Sequence, residues 1–229
     1  MENFKRFAIY YCPEPGPFAD FMARWLGWDV DAGQACPHPQ VSGLPLSVDD
    51  LTATPRKYGF HGTLKPPFRI AERGGRAALE ADLAELARRL TPVELPGLAL
   101  QRLGGFVALV PEGNTSRLPV LAAEVVTALD IHRVPMTPGE LTRRRAANLS
   151  AAQDAHLTRW GYPYVMDEFR FHLTLTGKLP RDQTNQVCTA LNPVLAPLLP
   201  QPFRLTELCL CGEDDAGRFH LLHRYALTG

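Results

Sequence analysis

Two short strings in this sequence carry the same residue types at the same spacing: Phe60-His61-Gly62-Thr63-Leu64 and Phe171-His172-Leu173-Thr174-Leu175. Side chains alternate faces along an extended strand, so residues two apart point the same way. His61 and Thr63 therefore share one face, and His172 and Thr174 share another, with Phe60, Leu64, Phe171, Leu173 and Leu175 backing them from the core side. The same parity puts Lys65 on the first polar face, and Arg170, Thr176 and Lys178 on the second. A surface so rich in cations and hydrogen-bond donors suits a phosphate.

Two imidazoles bracketing a phosphate make a complete acid–base pair. With an ordinary pKa near ~6.5, one neutral ring takes a proton from an attacking water or hydroxyl while the other, protonated, gives one to the leaving oxygen. The Thr63 and Thr174 hydroxyls donate to the non-bridging oxygens, where charge builds up. His156-Leu157-Thr158 repeats the pattern in a helix-like stretch, where residues two apart diverge, and is set aside. No metal is expected: Asp167 or Glu168 could join His172, but His-x-His and His-Glu-x-x-His spacings are missing and threonine is a poor zinc ligand. Cys209-x-Cys211 reads as buried core, nothing ties Cys12, Cys36 or Cys188 to a base, and no Gly-rich phosphate loop signals a nucleotide cofactor.

The elements that must position these groups follow from periodicity. Residues 6–11 read as a strand ended by Pro13 and Pro15, and Phe18, Phe21, Met22, Trp25 and Leu26 as the apolar face of a helix. Residues 36–55 read as a long loop, 58–70 as a strand, and 73–90 as a helix. A hairpin turning at Gly104-Gly105 spans 94–111, and a third helix carries Leu118, Leu121, Val125 and Leu129. Residues 131–166, with one helix-like run from Glu140 to Trp160 that includes Arg143-Arg144-Arg145, read as a helical insertion. A strand over 168–179, a helix over 182–199 and strands at 202–211 and 218–227 complete the chain. Strand, helix and paired strands recur in each half, which predicts an α+β fold of two similar lobes within one domain over 1–229.

The 229 residues are 45% hydrophobic, with 24 Lys+Arg against 24 Asp+Glu. That excludes a disordered chain and a basic nucleic-acid tail, and the zero balance argues against tight non-specific RNA binding. Five cysteines without paired spacing argue against a disulfide scaffold. With no leader-like segment or membrane-length apolar run, a cytoplasmic protein is expected.

Beyond the twin units, Arg6-Phe-Ala-Ile-Tyr-Tyr11, Lys57-Tyr58-Gly59-Phe60-His61-Gly62-Thr63-Leu64-Lys65, Leu103-Gly104-Gly105-Phe106, and Trp160-Gly161-Tyr162-Pro163-Tyr164 through Gly177 resemble the two-histidine (2H, LigT-like) phosphoesterase superfamily. They are most similar to its branch associated with phosphonate-utilisation operons. The resemblance implies two lobes, each an antiparallel sheet with helices on its outer face, around a central cleft. It further implies metal-independent chemistry on a cyclic phosphodiester, with His61 and His172 as acid–base pair, Thr63 and Thr174 as phosphate holders, and no cofactor. Substrates of the superfamily include 2′,3′-cyclic RNA ends and small cyclic nucleotides; the operon link suggests a phosphoribosyl cyclic phosphate. Tyr10, Lys57, Tyr58, Lys65, Arg144, Tyr162, Tyr164 and Thr176 are the candidate substrate contacts. Gly62 and Leu173 fall at the position where the superfamily is usually tolerant. Expected partners are a small phosphorylated ribosyl or nucleotide compound or RNA ends, with no membrane and no obligate protein partner. A non-catalytic binding module and an RNA-end ligase or transferase are the competing readings.

Overall fold

Alternation along the first strand, β1 (Arg6–Tyr11), defines both faces of the sheet to come. Phe7, Ile9 and Tyr11 enter the main core. Ala8 and Tyr10 join a smaller cluster on the other face with Cys12, Trp28, Val30, Cys209, Cys211 and Phe219. The computed structural model describes residues 4–72 and 74–229. After β1 the chain forms α1 (Pro17–Leu26), the short strands β2 (Trp28–Asp29) and β3 (Gln34–Ala35), α2 (Val48–Thr52), β4 (Gly62–Phe68), α3 (Gly75–Arg89), β5 (Val93–Leu95), β6 (Leu98–Leu103), β7 (Phe106–Pro111) and α4 (Arg117–Ala128). It continues through α5 (Pro138–Arg145), α6 (Ala151–Trp160), β8 (Leu173–Thr174), α7 (Arg181–Leu195), β9 (Phe203–Leu205), β10 (Glu207–Glu213) and β11 (Phe219–Ala226).

Seven strands make one sheet in the order β11-β10-β1-β4-β8-β7-β6, every neighbouring pair antiparallel. The lobes are not the two halves of the chain. Strands β1 and β4 lie with the C-terminal hairpin β10–β11, whereas β8 lies with the β6–β7 hairpin from the first half. The lobes meet where β4 runs beside β8, through the single pair Gly62 and Leu173.

Three helices, α3, α4 and α7, cover one face. α3 packs on β10 and β11, α4 on β4, and α7 on β6 and β7. Each does so through an apolar stripe at helical spacing: Leu79, Leu83 and Leu86; Leu118, Leu121 and Val125; Val187, Leu191 and Leu195. Those stripes and the inward residues of the sheet form one core running beneath both lobes. The opposite face carries His61, Thr63, His172 and Thr174.

Several expectations change in detail. The single helix-like run in the insertion is two helices, each started by its own capping box, Thr137 with Glu140 and Ser150 with Gln153. Asn148, at φ 53°, interrupts the helical path between them. The expected loop over 36–55 contains α2, capped by the Ser47 hydroxyl. The expected strand over 168–179 shrinks to β8, because a 3₁₀ turn at Met166–Glu168 precedes it and the chain leaves the ladder after Thr174. Among the described residues no helix is long and apolar enough to cross a membrane.

Candidate active site

Pairing of Gly62 with Leu173 determines what lies around it. In an antiparallel pair the flanking residues face each other on the opposite side of the sheet. His61 therefore stands across from Thr174, and Thr63 across from His172. The two imidazoles occupy one diagonal of a four-residue square and the two hydroxyls the other, with about 7–8 Å between diagonal backbone positions. All four side chains are partly exposed.

Both rings are held the same way. The Nδ1–H of His61 donates to the Gly59 carbonyl at 2.9 Å, and that of His172 to the Arg170 carbonyl at 2.8 Å. A carbonyl only accepts, so each Nδ1 carries the proton and each Nε2 is left for a ligand. His61 Nε2 also lies 3.2 Å from the Thr63 hydroxyl. Gly59 has φ 65°, and a Cβ there would stand 2.0 Å from Val30 Cγ1, so the turn that aims its carbonyl at His61 needs glycine.

Their surroundings differ. Tyr10 stacks on His61 with centroids 3.9 Å apart and 29° between planes, and Tyr58 sits 5.9 Å away. Burial under these rings is the main force pushing the His61 pKa down to about 4. The Gly59 carbonyl opposes that shift, and the nearby His172 adds to it. The ring beside His172 among the described residues is that of Phe106, at 5.6 Å and 50°.

Alternation fails at two equivalent places. Lys65 and Thr176 each lie four residues after their histidine and were expected on the polar faces, yet they are 2% and 1% exposed. A β-bulge turns Lys65 inward, and just past the end of β8 a doubly accepting carbonyl accompanies the inward turn of Thr176. In the first lobe Tyr10 pairs with Thr63 but Ile9 pairs with Lys65, so β4 holds one extra residue. The Lys65 ammonium then donates to the Val126 carbonyl at 3.2 Å and approaches Asp130 at 3.6 Å, and burial lowers its pKa to about 8. In the second lobe the Val107 carbonyl accepts from both Leu175 N–H and Thr176 N–H. The Thr176 hydroxyl accepts from Val107 N–H and donates to the Gly177 carbonyl. Neither side chain faces the site, which corrects both expectations.

Tyr10 is also corrected: at 1% exposure it supports the His61 ring from behind and presents no surface to a substrate. Tyr58 stays beside His61, half-buried, with the exposed Lys57 ammonium 4.9 Å from its ring. Arg144, Tyr162 and Tyr164 form a separate group: the Arg144 guanidinium lies 5.7 Å over Tyr162, which meets Tyr164 edge-on at 5.7 Å. Tyr58 reaches this group closely enough to help raise the Tyr162 pKa, after burial. The third His-x-Thr string sits on α6, where His156 pairs with Asp167 and Thr158 accepts from Arg145. Gly62 is not a tolerant position, since a Cβ there would stand 2.4 Å from Phe171 Cζ.

Sequence reasoning missed Gln101. It is exposed and registers with Ala108, which registers with Thr174, so it shares the polar face one small residue away. Only the hairpin register combined with the β7–β8 pairing exposes it. Among the described residues no group of three or more His, Cys, Asp or Glu is arranged to hold a metal ion. Burial raises the pKa of Cys211; the Cys209 thiol is pushed well up by its hydrogen bond with Cys12 and by burial, and that of Cys12, although its hydrogen bond with Cys209 pulls it down, is pushed well up by its bond with Cys211 and by burial.

Residues 63–220 match the family model described as Protein of unknown function (DUF1045). The chain belongs to the DUF1045 family. It is 36% identical over 226 residues to a Ribose 1,5-bisphosphate phosphokinase PhnN of Janthinobacterium sp. (strain Marseille), covering 94% of this chain and 49% of that protein. A protein of the same name from Laribacter hongkongensis (strain HLHK9) is 37% identical over 175 residues, 76% of this chain and 40% of that one. This DUF1045 chain thus spans about half the length of the curated relatives it matches, or less. Among solved structures it is similar to E. coli LigT complexed with NADP+, at 18% identity and a TM-score of 0.46 over 99% of each chain.

Proposed function

We propose that this protein is a two-histidine phosphoesterase that opens a cyclic phosphodiester of a small ribosyl or nucleotide compound without a metal ion. One observation carries the reading: the register sets the two His-x-Thr units across from each other at the Gly62–Leu173 pair, and each imidazole is pinned through Nδ1 to a backbone carbonyl, which leaves its Nε2 for a ligand. A phosphate seated in that square has an imidazole on either side and a hydroxyl at each remaining corner.

His61 is the base, because a ring held near pKa 4 is neutral at pH 7. Its Nε2 takes a proton from water as the water oxygen bonds to phosphorus, and protonated His172 gives its Nε2 proton to the ribosyl oxygen as the P–O bond breaks. Thr63 and Thr174 donate to the non-bridging oxygens. The products are a phosphomonoester and a free hydroxyl, and proton exchange with solvent restores both rings. The name of the curated relatives favours a phosphoribosyl cyclic phosphate as substrate, since opening one yields a ribose bisphosphate.

The test is turnover of ribose 1,2-cyclic phosphate and of 2′,3′-cyclic nucleotides in excess chelator. His61→Ala and His172→Ala should each lower kcat roughly 10²- to 10⁴-fold with unchanged melting. Undiminished turnover in either variant overturns the assignment, and binding without product selects a binding module instead.

A further inference from the structure

Beyond the histidine square, the same face of the sheet carries a cavity of about 260 Å³ whose lining includes Arg6, Arg69, Arg133, Arg143 and Arg144, with Glu140 the sole carboxylate among its lining residues. It lies between the start of β1, the end of β4 and α5 of the insertion. Arg6 occupies the face of β1 that Tyr10 occupies, four residues away, which is roughly 13 Å along the strand. Tyr58 stands beside His61 and Tyr162 beneath Arg144, and the two tyrosines are near enough for Tyr58 to help raise the Tyr162 pKa, after burial.

Three of the five guanidiniums are committed and form a rigid wall. Arg6 is held in a two-pronged pair by Glu213, Arg69 by Glu140, and Arg133 by Asp130 at 2.7 Å and by the Arg159 carbonyl at 3.0 Å. Arg143 and Arg144 differ. Among the described residues neither has a carboxylate partner, and Arg144 rests only on the Tyr162 ring. Their neighbour Arg145 points elsewhere, joining α5 to α6 through Asp154 and Thr158. Two free planar forks beside a wall of ion-paired guanidiniums, whose carboxylates are already engaged, match a phosphate dianion. The cavity is smaller than the ~300–1,000 Å³ that takes a whole small ligand, which fits one charged end of a longer molecule.

Resting on the phosphoesterase reading, we infer that this cavity is a second anion subsite that takes a phosphomonoester at the far end of the cyclic substrate, with Arg143 and Arg144 as its specificity-determining contacts. The substrate class narrows to a cyclic phosphate that also bears a terminal phosphate.

Two measurements test this. The first compares kcat/KM for ribose 1,2-cyclic phosphate with and without a 5-phosphate. Wild-type protein should prefer the phosphorylated form, and Arg143→Gln with Arg144→Gln should cut that preference roughly 10- to 100-fold. Arg145→Gln should keep it. Equal turnover of both forms by wild type, or a preference that survives in the double variant, overturns the subsite. The second titrates ribose 5-phosphate calorimetrically and needs no turnover. If neither these compounds nor 2′,3′-cyclic nucleotides react, the phosphoesterase reading fails, and the titration alone decides: binding to wild type that is lost in the double variant supports the subsite. No binding, or equal binding to both, rejects it.

Discussion

Substituting Gly62→Ala adds one methyl group at the seam between the lobes. The new Cβ would stand 2.4 Å from Phe171 Cζ and 2.7 Å from Cε2, about 1 Å inside carbon–carbon contact at ~3.5 Å. Phe171 has little room to retreat, because its ring packs against Tyr11 at 6.1 Å and Phe203 at 6.0 Å within the core. The strain therefore falls on the seam, where one residue pair joins β4 to β8. Overpacking of this kind costs about 1–3 kcal/mol, which lowers Tm by about 2–12 °C for a chain of this size. A displacement of about 1 Å between the imidazoles lowers kcat on the order of 100-fold, with KM little changed. Steady-state kinetics at 25 °C, where the variant remains folded, read the second effect apart from the first. Adding Phe171→Leu should recover most of the lost kcat by vacating the clash. Wild-type kcat and Tm in Gly62→Ala would refute the reasoning, because the close approach of β4 and β8 would then not position the pair.

Burial of neutral His61 makes stability depend on pH: between its ordinary pKa near ~6.5 and its folded value of about 4, the unfolded chain binds the extra proton. Stability should fall as pH drops through that window and level off below it, and urea unfolding at pH 7.5 and 4.5 should show a smaller difference, by on the order of 2 kcal/mol, in His61→Gln than in wild type. Equal differences would reject the buried neutral ring. Tyr10→Leu removes the ring that shields His61 and should move its NMR titration upward, towards the ordinary value; no movement would mean that Tyr10 does not desolvate it. Lys65→Met should leave kcat/KM within about threefold of wild type, since the bulge directs the ammonium to Val126 and Asp130. A large rise in KM would show the lysine to face the substrate after all.

Much of the fold is legible in local pattern. The alternation of β1, the apolar stripes of α1, α3, α4 and α7, and the Gly104-Gly105 hairpin follow from side-chain periodicity within a few residues, because each element buries one face. The capping boxes that divide the insertion into α5 and α6 were equally local, in Thr137-Pro-Gly-Glu140 and Ser150-Ala-Ala-Gln153. So was a hint of irregularity in β4, whose Pro66-Pro67 cannot donate to a ladder.

Residue types and spacing alone marked out the twin His-x-Thr strings and the face each presents. Only tertiary structure decided that β4 and β8 lie side by side in opposite directions, which sets each histidine across from the other unit's threonine. It also decided that Lys65 and Thr176 leave that face and that Tyr10 is sealed beneath His61 by strands arriving some two hundred residues later. Alternation is a rule about consecutive residues in one extended chain. A bulge depends on the partner strand's register, and burial depends on what packs above, so neither is encoded in a strand taken by itself.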